Sequence, residues 1–369
     1  MLPPWPGEAV TLDGTVTYVR RTPAMNPDAE PALYVHGLGG SGTNWTDLAY
    51  LLSGRLDGEA IDLPGFGRSD PAPSYTVGAM ADRVVRWIEH SGRGPVHLFG
   101  NSLGGAVTVR VAGIRPDLVR TLTLISPAMP FMDPRRSVVS RMLPLLLIPR
   151  AERLAARRLA TIVPEDLAKQ VIDACFADPS VLPPERIAEA VEEVRRRYET
   201  PWYVDAYIRT LRGLVGSFLR SYLPGRDSMW RIAERITAPT VVVTGRQDRL
   251  VDVRVAPAVA RLIPDSRLLV LDQVGHVAQM ERPDLVARAV LAMLDEAAQR
   301  DVPAQKDGPA RKDAPARKDV PTQKDVPAEM GVGAEKGVPR NAGVAGSRGR
   351  SAAPDDASVA APSARATTT

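Results

Sequence analysis

The chain has 369 residues, 44% hydrophobic, 24% charged and 5% aromatic, with a formal net charge of +4. That apolar content can build a large core, and about 300 residues suit one domain with an insertion. A small, evenly spread charge does not point to nucleic acid, the single cysteine Cys175 excludes an intramolecular disulfide, and no stretch approaches the roughly 18 apolar residues of a membrane span.

The N-terminal segment MLPPWPGEAVTLDG has neither the basic start nor the apolar core of a signal peptide, so a cytoplasmic location is expected. Ala32–Val35 then reads as a short buried strand running into His36-Gly37-Leu38-Gly39-Gly40, a glycine-rich loop whose backbone can approach a substrate closely. His36 is read as a brace of that loop, not as a base. The DLPGFGRS motif at 62–69 follows a fourth strand, with Asp62 shaping the turn. An amphipathic helix is expected over Val77–Glu89, ended by His90, where a histidine suits the negative end of the dipole.

The most informative motif comes next. Val96–Phe99 is a short apolar strand and Ala106–Ala112 a helix, so Gly100-Asn101-Ser102-Leu103-Gly104 forms a strand-to-helix turn. A serine hydroxyl is a poor nucleophile unless it is exposed, placed beside a base and given donors for the oxyanion. Glycines at 100 and 104 let such a turn fold back tightly and project Ser102, with the Leu103 N–H at the helix start facing any developing negative charge. The Leu38 N–H is the candidate second donor. His97, on the preceding strand, is read as buried scaffold.

A sixth strand is expected over Thr121–Ala128, after which the sheet pattern stops until Pro239. Residues 130–235 are helical in pattern and broken by Pro134, Pro144, Pro149, Pro164, Pro183, Pro184, Pro201 and Pro224. This stretch reads as a cap over a catalytic crevice. Its most apolar piece, Met142–Pro149, is expected to pack inside the cap or to form a lipophilic wall or a surface that touches lipid. Trp202, Tyr203 and Tyr207 are candidate pocket or packing aromatics.

The strand pattern resumes at Thr240–Gly245 and ends in Asp248, and it repeats at Leu268–Leu271, ending in His276. In a parallel sheet the carboxyl ends of the strands open onto one crevice, so Ser102, Asp248 and His276 can converge. Asp272 falls inside the strand leading to the histidine and suits a structural or solvated role, and Asp252 is expected to cap a helix starting near Val253. Four histidines and one cysteine show no paired ligand spacing, and no phosphate-binding glycine loop follows a strand. No metal and no cofactor are therefore expected.

From about residue 299 the units DVPAQK, DGPARK, DAPARK, DVPTQK and DVPAEM succeed one another, then give way to Gly, Ala, Ser and Thr. Proline in each unit and the lack of aromatic residues predict a disordered low-complexity tail, read as a tether or as a functionless extension.

Five motifs, HGLGG at 36–40, DLPGFGRS at 62–69, GNSLGG at 100–105, GRQD at 245–248 and GHVAQMERP at 275–283, resemble those of the α/β-hydrolase superfamily in order and spacing. The resemblance spans roughly residues 10–298. It implies a mostly parallel eight-stranded sheet flanked by helices, with a core at 1–129 and 236–298 and a helical cap at 130–235, followed by the low-complexity tail read above at 299–369. It implies Ser102 as nucleophile, His276 as general base and then acid, Asp248 as the residue orienting His276, and the Leu38 and Leu103 amides as oxyanion hole, supported by His36, Gly37, Gly100, Asn101 and Gly104.

The expected activity is hydrolysis of an ester-like bond in a small hydrophobic substrate. The sequence leaves three alternatives open. Asn101 beside the serine is similar to carbon–carbon hydrolases of ring-fission products, although Val277 stands where those enzymes carry tryptophan. The same triad also serves cofactor-free perhydrolases and haloperoxidases, and a slow-turnover ligand receptor retains it too. A small-molecule substrate is the expected partner, without nucleic acid and without stable membrane insertion; the sequence does not specify an oligomeric state.

Overall fold

Short apolar runs punctuated by glycine and turn-forming residues become one eight-stranded sheet in the computed structural model, which describes residues 3–130, 151–159, 161–223, 225 and 228–301. The strands are β1 (Gly7–Leu12), β2 (Thr15–Thr22), β3 (Glu30–Val35), β4 (Leu56–Ile61), β5 (Val96–Asn101), β6 (Val119–Ile125), β7 (Thr240–Gly245) and β8 (Ser266–Leu271). Their spatial order is β1-β2-β4-β3-β5-β6-β7-β8. β2 runs antiparallel to β1 and β4, and every pairing from β4 to β8 is parallel. The carboxyl ends of β3, β5, β6, β7 and β8 therefore share one edge of the sheet.

Successive side chains of a strand point to opposite faces, and this alternation divides the core in two. Leu33, Val35, Leu98 and Val242 face a cluster with α2 (Val77–Ser91), α3 (Leu103–Ile114) and α9 (Val255–Leu262). Ala32, Tyr34, Phe99, Val241 and Val243 face α1 (Thr46–Leu52) and the last helix (Pro283–Asp301) through Trp45, Leu48, Val286, Val290 and Met293. Each fully buried Val, Leu or Phe in these layers contributes about 1.5–3 kcal/mol. α2 starts where the Thr76 hydroxyl accepts from Ala79 N–H and stops at Gly92, whose φ of 64° is left-handed; His90 sits in its last turn.

Between β6 and β7 the described residues form five helices: α4 (Ala151–Leu159), α5 (Pro164–Cys175), α6 (Pro184–Glu199), α7 (Tyr203–Ser221) and α8 (Met229–Ala233). Pro164 and Pro184 open helices instead of breaking them, because the first position of a helix needs no N–H donor. The apolar piece Met142–Pro149 lies outside the described residues. α7 lies against the start of α2, where a Cβ on Gly213 would stand 2.4 Å from the Tyr75 carbonyl oxygen. It also meets the loop after β3, since Leu38 packs with Tyr207, Leu211 and Val215.

Three expectations need adjustment. The sixth strand is shorter at its end, stopping at Ile125, because Ser126 turns out of the ladder with φ 44°. Asp272 lies just past β8 in a turn and pairs with exposed Arg246 instead of sitting inside the strand. Asp252 does not cap α9, whose N-cap is Arg254; it shapes the turn before it, with Oδ1 accepting from Arg254 N–H at 3.0 Å.

After β8 come α10 (Ala278–Glu281) and α11 (Pro283–Asp301). α11 thus continues past the expected start of the tail to Asp301, the first residue of the first six-residue unit, and the repeats from Val302 onward lie outside the described residues. Among the described residues no helix is long and apolar enough to cross a membrane.

Candidate active site

Ser102 occupies the turn between β5 and α3 with φ 53° and ψ −116°, a backbone conformation that costs a non-glycine residue energy and must be held by its surroundings. Three backbone hydrogen bonds hold it. Ser102 N–H donates to Ile125 O at 3.0 Å, and Ser102 O accepts from Ala106 at 3.1 Å and Ala128 at 2.9 Å. α3 approaches β3 so closely that a Cβ on Gly104 would lie 2.1 Å from Val35 O and 2.6 Å from His36 O. Leu103 is the first residue of α3, so its N–H has no carbonyl partner within the helix.

The loop after β3 reaches the same point. A Cβ on Gly37 would stand 3.1 Å from Asn101 Oδ1 and 3.2 Å from the Ser102 Cβ. The loop is braced by His36, whose Nε2 accepts the Leu63 N–H at 2.9 Å, leaving Nδ1 to donate to Gly37 O at 2.7 Å. Burial pushes the His36 pKa down to about 4, so the ring stays neutral and acts as scaffold. Asp62 performs the same service next door, with Oδ1 accepting from Gly42 at 2.6 Å and Oδ2 from Arg68 at 2.9 Å; burial raises its pKa to about 6 against those bonds.

Asp248 and His276 come together across 28 residues of chain, Nδ1 to Oδ2 at 2.9 Å. Both side chains are shielded, with 0% exposure for Asp248 and 6% for His276. The other carboxylate oxygen of Asp248 accepts from Leu250 at 2.8 Å and Val251 at 2.9 Å. Burial pushes the Asp248 carboxyl up, but the His276 imidazole and these N–H donors outweigh it, so its pKa lies below the ordinary value. Asp248 therefore stays ionised and fixes the ring, leaving Nε2 for proton exchange.

The backbone of His276 is anchored as well. Its N–H donates to Cys175 O at 2.7 Å, and its carbonyl accepts from Asn101 Nδ2 at 3.2 Å, while the same Asn101 amide group donates to Ile125 O at 3.1 Å. Among the described residues no hydrogen bond joins Ser102 Oγ to His276. Such contacts are commonly long without substrate and tighten when it binds.

The other candidates fall elsewhere. His97 is buried on β5, with Nδ1 2.8 Å from Thr121 Oγ1 and Nε2 3.2 Å from Glu30 Oε2. Cys175 is a free thiol whose pKa burial pushes up to about 12, helped by Asp248 and Glu281. Among the described residues no group of three or more His, Cys, Asp or Glu side chains is placed to hold a metal ion.

Sequence reasoning missed Glu281. It is buried in α10, and its carboxylate accepts from Gly275 at 2.6 Å and from Ala177 at 2.8 Å. The available signal was a charged residue in the short stretch after His276. The roof over the Gly39 turn comes from α7, because a Cβ on Gly39 would meet the Tyr203 hydroxyl at 3.1 Å and the Tyr207 ring at 3.2 Å. The two rings neighbour each other at 6.2 Å, and Tyr203 also meets Phe66 edge-on at 6.1 Å.

A sequence profile of the alpha/beta hydrolase fold matches residues 31–283. The chain is 29% identical over 266 residues to a dihydrolipoyllysine-residue acetyltransferase component of the acetoin cleaving system of Pseudomonas putida, covering 72% of this chain. It spans only 63% of that relative's length. It is 24% identical over 303 residues to the monoacylglycerol lipase ABHD6 of Bos taurus, covering 79% of this chain and 85% of the lipase. Among solved structures, a meta-cleavage product hydrolase of Pseudomonas fluorescens IP01 is similar with a TM-score of 0.61 at 18% identity, covering 79% of this chain and 98% of that one. The profile match over 31–283, on a sheet of this order, makes the chain a member of the alpha/beta hydrolase fold family.

Proposed function

We propose that the protein is a serine hydrolase that cleaves an ester-like bond through an acyl-enzyme on Ser102. The observation that carries this reading is the 2.9 Å hydrogen bond between shielded Asp248 and His276, in a fold whose elbow presents a serine at the same sheet edge. His276 Nε2 takes the Ser102 proton as Oγ attacks the carbonyl carbon, and the resulting oxyanion is held by the Leu38 and Leu103 amides. The imidazolium, stabilised by Asp248, gives its proton to the leaving alcohol. Water then attacks the acyl-enzyme through the same base, releasing acid and free serine. One oxyanion donor of this kind is worth about 3 kcal/mol of transition-state stabilisation.

Tyr203, Tyr207, Leu211 and Val215 of α7, standing with Leu38 over the loop after β3, favour a small hydrophobic acyl group. The helical stretch between β6 and β7 is accordingly read as a cap that shapes the pocket. p-Nitrophenyl esters of graded acyl length test this reading: multiple turnover with an optimum at short to medium chains supports it, and absence of turnover on every ester contradicts it.

One observation favours a second reading, hydrolysis of a carbon–carbon bond in a carboxylate-bearing ring-fission product. Arg197 of α6 stacks over Tyr203 with its Cζ 5.6 Å from the ring centroid, and its charge also acts on His36 and Tyr207. A cation beside the roof of the site suits a carboxylate substrate. Decay of a ring-fission dienoate in the absence of ester turnover would shift the assignment to this chemistry.

A further inference from the structure

The loop that carries His276 is fastened to the helical insert by two adjacent links. His276 N–H donates to Cys175 O at 2.7 Å. One residue earlier, Gly275 N–H donates to Glu281 Oε1 at 2.6 Å, and Glu281 Oε2 reaches across to accept from Ala177 N–H at 2.8 Å. The two segments lie so close that a Cβ on Gly275 would stand 2.4 Å from Cys175 O, 2.8 Å from Ala177 N and 2.9 Å from Glu281 Oε1. Val277, on the other side of the histidine, packs with Ile172 and Phe176 of the same insert. The end of α5 is thus built into the seat of the histidine on both flanks.

We propose that Glu281 is a positioning residue for His276: its carboxylate clamps the 274–275 peptide, through Gly275 N–H, to Ala177 N–H and so sets the imidazole against Ser102. This rests on the reading of Ser102, Asp248 and His276 as the reacting group. A carboxylate buried to 7% exposure loses hydration, and the two N–H donors recover part of that loss only while both segments stay in place. The clamp therefore favours one arrangement of loop and insert. Asp248 holds the ring at Nδ1, Asn101 holds the carbonyl, Cys175 holds the N–H, and Glu281 fixes the peptide that precedes them. Misplacing a base by about 1 Å is enough to lower a rate roughly 100-fold.

The test compares Glu281→Gln and Glu281→Ala with wild type in the full chain. It uses p-nitrophenyl ester kinetics, the hydrogen exchange of the Gly275 and Ala177 amides, and the NMR resonance of the His276 Nδ1 proton. Glu281→Ala is expected to lower kcat roughly 10- to 100-fold, with a much smaller change in KM. Glu281→Gln, near in shape and able to accept one of the two bonds, should recover part of kcat. Both amides should lose exchange protection, and the Nδ1 proton signal should shift or broaden.

An unchanged kcat with lost amide protection would overturn the proposal, because the clamp would then be structural only. Should Glu281→Ala fail to fold, Glu281→Gln alone decides, through its kcat and the Nδ1 signal. Ser102→Ala run in parallel separates the two failures: retained turnover there overturns the reading of the site and the proposal with it. Lost turnover there together with a normal Glu281→Gln rate and Nδ1 signal overturns the proposal alone.

Discussion

Asn101 joins the turn between β5 and α3 to the histidine loop: its Nδ2 donates to the carbonyl of His276 at 3.2 Å across 175 residues of chain. The residue beside Ser102 therefore ties the β5–α3 turn to the backbone of His276. Asn101→Ala leaves that carbonyl and Ile125 O without this donor in a buried site. We expect kcat to fall at least about tenfold, with stability reduced by about 1–3 kcal/mol. Steady-state ester kinetics and urea unfolding measure the two effects, and an unaltered kcat would show that the link does not position the base.

Gly104→Ala tests how tightly α3 must approach β3. The new Cβ would meet backbone oxygens of Val35 and His36, which cannot rotate away as a side chain can. The helix must then shift, carrying Leu103 N–H and Ser102 with it. Destabilisation of about 1–3 kcal/mol is expected, with a larger proportional loss of kcat than of folded protein. Circular dichroism melts alongside activity per folded molecule separate the two.

His36 makes a prediction about pH. Its folded pKa of about 4 lies below the unfolded value of 6.5. Between these values the unfolded chain binds a proton that the folded ring refuses, so this group's contribution makes stability rise with pH. It is fully present above pH 6.5 and lost as pH falls through about 4, for a total of roughly 3 kcal/mol. Asp62 works in the opposite direction, because its folded pKa of about 6 exceeds its unfolded 3.8 and its contribution fades as pH rises through 6. The comparison is therefore wild type against His36→Gln, which retains an acceptor for Leu63 N–H and a donor for Gly37 O but does not titrate. The stability difference between the two should favour wild type more at pH 7 than at pH 4, as read by chemical denaturation.

The strand ends were legible because each candidate catalytic residue follows an apolar, often β-branched run, as Asp248 follows Val241–Val243, and parallel pairing brings such ends to one edge. What sequence did not disclose lies in contacts between distant segments. Nothing in the sequence shows that Glu281 meets Ala177, and Asn101 gives no sign that its amide reaches His276 O. Asp252 illustrates a local failure: an aspartate two or three residues before an apolar helix suggests a cap, but the turn it forms places Arg254 at that position. The prolines of the insert suggested breaks because their pattern does not distinguish a helix interior from a helix start.

Tyr207 bears on substrate size. Its ring stands over the Gly39 turn and beside Leu38, and shortening it opens space next to the proposed oxyanion loop. Tyr207→Ala is expected to raise kcat/KM for longer acyl chains relative to shorter ones by roughly 5- to 150-fold, on the order of 1–3 kcal/mol of discrimination for the methylenes accommodated. An unchanged chain-length profile would place the acyl group elsewhere.

The most direct test of the account is turnover of p-nitrophenyl butyrate by wild type and Ser102→Ala, each shown by its melting curve to be folded. The account predicts repeated turnover by wild type, with a burst of about one nitrophenol per active site if deacylation is slow, and no serine-dependent turnover in the variant. Full activity in Ser102→Ala would contradict it, because the account places the acyl-enzyme on the Ser102 hydroxyl.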